Sequence, residues 1–119
     1  MFNEAYKVIS EIIPSDAPHV AARTFRISVL SNLAMKQAEP SAQELFFKRA
    51  EAEGRYILKN CIIQDEEFFC EYGLVFFAQA VQLFINVKTG KKNNAQGDDK
   101  EKVQTLLKRA EKEFEMGTV

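Results

Sequence analysis

His19, Arg23 and Arg26 recur at helical spacing in a stretch that is otherwise apolar. On a helix, residues three and four apart share a face. That face here is the middle of an arc made by Ala22, Phe25, Ile27, Val29, Leu30, Leu33 and Ala34, while Thr24, Ser28, Ser31 and Asn32 form the strip expected to meet solvent. A charge inside an apolar arc needs a partner, because burying it alone is costly. Two chemistries meet that need. One is a structural ion pair, for which Glu67 and Glu71 are the expected carboxylates. The other is an anion or phosphate contact built from His19, Arg23 and Arg26.

Other reactive constellations are missing. His19 is the only histidine, which argues against a zinc site, a Ser-His-Asp arrangement or a Cys-His dyad. HEPN-type ribonucleases are helical bundles that place an arginine ahead of a histidine; here the order is reversed, and the activity is not carried over. Glu67 and Glu71 share a helix face, but no Glu-x-x-His motif accompanies them, as a di-metal bundle would require. The five glycines are scattered, so no loop cradles a phosphate. Cys61 and Cys70 lie nine apart with no CxxC, and nothing resembles a signal peptide. The expectation is therefore a cytoplasmic protein that is not an enzyme, with no cofactor, no metal and no small-molecule substrate.

A weaker candidate is the basic strip Lys48, Arg55 and Lys59, which with Lys88, Lys91 and Lys92 would follow a phosphate backbone. Glu51 interrupts it at the spacing of ordinary surface support for Arg55. The net charge of −1 supplies no field toward nucleic acid. Residues 61–87 carry four acids and no base, so the most apolar part of the chain is acidic.

These side chains must be positioned by helices, since no stretch alternates with period two over a strand's length. The chain is 119 residues long and 46% hydrophobic, enough for one self-sufficient domain. Five helical segments are predicted. The first runs from Asn3 to Ile13 and is stopped by Pro14. The second is capped by Ser15 or Asp16 and reaches Ala38. After Pro40, Ser41 and Glu44 form a capping box that opens a third, lasting to Lys59. The fourth starts at Asp65, Glu66 and Glu67 and ends at Lys88. A polar linker over 89–97 precedes the fifth, 98–117, capped by Asp98 and Glu101, with Gly117 as its stop after Met116. The fold class predicted is all-α: a compact bundle of four to five antiparallel helices, with its core over residues 1–88 and a C-terminal amphipathic helix after the linker that packs on the core or on a partner.

The fourth helix is apolar most of the way round. Phe69, Tyr72, Phe76, Ala80, Leu83 and Val87 fill one side, Cys70, Leu74, Phe77, Val81, Phe84 and Ile85 the next, and only Glu71, Gln79, Gln82 and Asn86 are polar. Such a helix belongs at the centre of a bundle or under a second subunit; its polar residues disfavour a membrane. The fifth helix carries a stripe of Val103, Leu106, Leu107, Ala110 and Phe114 amid dense mixed charge, the pattern of a seam that docks on its own core or on a partner. Together these features predict an interaction or assembly subunit with a protein partner or self-association. The alternative is a nucleic-acid-associated small subunit of a ribonucleoprotein complex, CRISPR effector small subunits among them, an analogy at the level of fold alone.

Overall fold

The computed structural model describes residues 4, 7–8, 20–61, 66–90 and 98–118, which contain four long helices and no strand. They are α1 (Val20–Lys36), α2 (Pro40–Asn60), α3 (Glu66–Lys88) and α4 (Asp98–Thr118). Of the predicted first segment, Glu4, Lys7 and Val8 are described, helical and exposed; the rest of it, the Ser15/Asp16 cap, His19 and linker residues 91–97 lie outside the described residues.

Three boundaries differ from expectation. The second predicted helix stops at Lys36 rather than Ala38, because Pro40 drives the residue before it out of the helical region. Glu39 is accordingly extended, at φ −94° and ψ 131°. It serves as the N-cap of α2 with no side-chain capping bond, and Pro40 takes the first turn, where its missing N–H costs nothing. Ser41 is thus already helical, and the predicted capping box is not used. At the other end, Gly117 lies inside α4. A Cβ there would stand 3.2 Å from Phe69 Cβ and 3.3 Å from the Glu66 carbonyl, so its bareness serves a close approach to α3 rather than a stop. The end of α3 is as predicted: Gly90 turns left-handed at φ 78°, and its N–H reaches the Val87 carbonyl at 3.3 Å.

α3 packs against all three other helices. Along α2, Gln43 meets Asn86, Glu51 meets Gln79 and Gly54 meets Tyr72, so numbering rises on one helix as it falls on the other. Along α4, Gly117 lies by Glu66 and Phe69, and Ala110 and Phe114 lie by Gly73. Two glycines set these approaches. A Cβ at Gly54 would collide with the Tyr72 ring, 2.7 Å from Cζ, and one at Gly73 would fall 2.7 Å from Phe114 Cε1. The core joins Ile27, Leu30 and Ala34 of α1, Phe47, Ala50 and Ile57 of α2, Phe68, Tyr72, Val75 and Phe76 of α3, and Ala110 of α4. Its aromatic spine is local to α3: Phe68 and Tyr72 have centroids 5.4 Å apart, and Tyr72 and Phe76 meet edge-on at 5.0 Å.

Candidate functional site

The arginines of α1 find a carboxylate, and it is on α2. Arg23 donates from Nη1 to Glu53 Oε1 at 2.7 Å, and Arg26 from Nη1 to Glu53 Oε2 at 3.0 Å, which corrects the expectation of Glu67 or Glu71. Arg23 is 2% exposed and lies 4.1 Å from the centroid of the Tyr56 ring. Arg49 and Ala52 complete a shallow depression around the pair. Glu53 was legible in principle. It stands three residues after Ala50 and four before Ile57, both buried, so the period of the α2 core face places its carboxylate inward. A carboxylate shared between two guanidinia fixes the register of α1 on α2 and satisfies the charges that the sequence left in an apolar arc.

The basic strip falls on the far side of α2 from Glu53. Lys48, Arg55 and Lys59 are all exposed there. Lys48 Nζ is 3.3 Å from Glu44, and Arg55 is 3.8 Å from Glu51, each one turn away on the same helix. The structure therefore brings Arg23 and Arg26 together but does not join them to this strip.

The α4 stripe is largely occupied within the chain. Ala110 is buried against α3, and Leu106 and Phe114 pack on the core; Val103 is half-buried, and Leu107 alone stays exposed. A polar clamp reinforces this docking. The Arg109 guanidinium lies 4.8 Å from the Phe76 centroid, and its Nε is 3.4 Å from the buried Glu113 carboxylate.

The orientation of α3 is the feature with functional weight. Its polar strip lies along α1 and α2, half-buried at Glu71, Gln79 and Gln82 and buried at Asn86. Asn86, 4% exposed, donates to Gln43 Oε1 at 2.8 Å and accepts from Gln82 at 3.3 Å, while Gln43 donates to the Gln37 carbonyl at 2.8 Å. Gln79 donates to Glu51 at 2.9 Å. Glu71 accepts from the Ser28 hydroxyl of α1, and burial raises its pKa above the ordinary value of 4.5, with Ser28 lowering it and Glu67 raising it further. α1 buries its apolar arc at Ile27, Val29, Leu30, Leu33 and Ala34 as expected, but the strip predicted to meet solvent is covered as well, with Ser28 and Asn32 half-buried. Thr24 and Ser31 are buried, whereas Phe25 is 52% exposed. Of the small hydroxyl side chains on α1, Ser28 answers Glu71 of α3.

With one apolar side in the core and its polar strip tied to α1 and α2, α3 shows water its second apolar side. Cys70, Leu74, Phe77, Val81, Phe84 and Ile85 are all exposed, Phe84 at 53% and Phe77 at 45%. On a helical wheel they occupy one arc, bounded by Glu66 and Glu67 at the start and Lys88 at the end, with no polar side chain between. A groove at Phe77, edged by Leu107, Ala110 and Phe114, carries the apolar surface toward α4.

The chain matches no family model, no curated protein and no solved structure. Its function has to be read from these surfaces. Among the described residues no cluster of histidine, cysteine, aspartate or glutamate could hold a metal ion. By length and composition α3 would suffice to cross a membrane, with mean hydropathy 1.6, but here three helices of the same chain pack on it.

Proposed function

We propose that this protein is a non-enzymatic helical assembly subunit that acts through the outward apolar strip of α3. The observation that carries the reading is that α3 buries one apolar side in the core and leaves a second apolar side in water. An amphipathic helix normally buries its apolar face and wets its polar one. α3 buries Phe68, Tyr72, Val75, Phe76 and Ala80, ties Glu71, Gln79, Gln82 and Asn86 to contacts inside the chain, and still leaves six consecutive apolar positions of the strip uncovered. Isolated apolar side chains on a surface are ordinary, but a contiguous patch marks a place where something binds. The remaining helices form the scaffold: an antiparallel bundle whose registers are held by Glu53 between Arg23 and Arg26, and by Gln43 with Asn86. α4 belongs to that scaffold, and of its stripe Leu107 remains available at the edge of the strip.

The second reading, a small subunit on a phosphate backbone, has Lys48, Arg55 and Lys59 exposed in its favour. Glu44 and Glu51 beside them offset the charge that would release counterions, which places it behind.

The test is to isolate the protein gently from its source cells, unaltered and as Phe84→Ser, and to compare native mass and nucleic-acid absorbance. The chain has no tryptophan, so bound nucleic acid would show clearly. The reading expects the unaltered protein in a larger protein assembly that Phe84→Ser dissolves without unfolding the chain. An assembly unaffected by Phe84→Ser would overturn it. One rich in nucleic acid and lost with salt would put the second reading first.

A further inference from the structure

We infer that the occupant of the α3 strip is a second copy of this chain, its α3 running in the opposite direction with the two Phe77 side chains meeting on a two-fold axis. This rests on the strip being the contact surface, and names its partner.

At its centre and its ends the strip is complementary to its own reverse, while Leu74 and Val81 come to the levels of the small residues Ala80 and Gly73. Cys70 and Phe84 each lie seven residues from Phe77, and Glu66 and Lys88 each lie eleven from it. Reversal about Phe77 therefore sets the small Cys70 of each copy against the large Phe84 ring of the other. It also sets the exposed carboxylate of Glu66 against the exposed ammonium of Lys88, once at each end. A closed two-fold interface requires this property, because each surface must fit itself. The intervals along Cys70, Leu74, Phe77, Val81 and Phe84 are four, three, four and three, the seam spacing of two helices packed side by side. In a parallel pairing Glu66 would face Glu66 and Lys88 would face Lys88, and like charges in register repel. A lipid surface has no use for the reversal symmetry.

Cross-linking reads the geometry. An antiparallel pair places the two Cys70 residues about 21 Å apart along the axis, fourteen residues at the helical rise, far beyond disulfide reach. The two positions 77 lie within reach. We would oxidise two purified chains: Cys61→Ala, which keeps Cys70, and the triple variant Cys61→Ala, Cys70→Ser, Phe77→Cys. The expected result is a covalent dimer from the triple variant only. Charge exchange supplies a second readout that spares the core. Glu66→Lys or Lys88→Glu alone should weaken dimerisation about tenfold, two pairs turning from attractive to repulsive, and the two together should restore it. Cross-linking of both chains would mean a parallel pairing and overturn the inference; so would a dimer in which neither cross-links. A purified chain that stays monomeric in water, or that instead floats with phosphatidylcholine vesicles, would overturn it too. If Phe84→Ser still dissolved the assembly from cells in that case, the strip would remain the contact surface with a different partner. If it did not, both readings would fall.

Discussion

The Asn86 amide donates to Gln43 Oε1 at 2.8 Å, and both residues are almost fully buried, while Phe84, two residues earlier on the same helix, stands half in water. Each amide has other partners: Gln82 donates to Asn86, and Gln43 donates to the Gln37 carbonyl. A buried amide that loses its partner keeps its desolvation cost. Asn86→Ala or Gln43→Ala should therefore destabilise the fold by about 1–3 kcal/mol in urea unfolding. Replacing both with leucine should cost clearly less than the sum of the single losses.

Glu53 sits between two guanidinia with 10% of its side chain exposed. Glu53→Gln keeps the shape and removes the charge, and should cost about 3 kcal/mol, the range for breaking a buried ionic contact from one side. A cycle with Arg23→Met should be strongly non-additive, because the methionine needs no carboxylate. Additive losses in denaturant titrations would show that Arg23 and Glu53 do not act as a unit.

Gly54 and Gly73 lie where α2 and α4 cross α3 most closely. Alanine is the better helix former by about 1 kcal/mol, yet at Gly54 its methyl would enter the Tyr72 ring. Gly54→Ala should lower stability by about 2 kcal/mol, as overpacking does. Gly73→Ala should push on Phe114 and loosen α4, visible as faster amide exchange along α4 than along α1. A stabilised Gly54→Ala variant would mean that the two helices stand further apart than described.

Glu71 supplies a pH dependence of known sign. Its pKa is raised above 4.5 chiefly by burial, with Ser28 opposing and Glu67 assisting. A raised acid holds its proton more tightly folded than unfolded, so its contribution improves as pH falls through the raised value toward 4.5 and is unfavourable above it. Glu71→Gln should thus melt higher than the unaltered chain at about pH 7, and the difference should close on acidification toward about pH 4. A gap that widened on acidification would contradict the assignment.

The helices were legible in the sequence because breakers and periodicity are local signals. Pro40, Gly90 and the acidic start of α3 mark ends where the chain does turn. Direction was not legible. A helical wheel separates Asn86 from Phe84 but does not say which faces water: the apolar arc of α1 is buried as expected, but so are Thr24 and Ser31 of its polar strip, and α3 has one apolar side in the core and another in water. Ser28 is half-buried beside Glu71 of α3, a fact of pairing between segments distant in sequence. Glu53 does not stand out in the sequence as the partner of Arg23, because thirty residues separate them and only the inward phase of α2 connects them. The α4 stripe read as a docking seam, and most of it docks on α3 of its own chain.

Light scattering of the purified chain over a range of concentrations, beside the Phe84→Ser variant, tests the central claim most directly. The strip as a self-contact predicts that the unaltered protein approaches twice the chain mass of 13.6 kDa, while Phe84→Ser remains at the single-chain mass with its helix content intact. A single-chain mass for both, or one doubled mass shared by both, would contradict it.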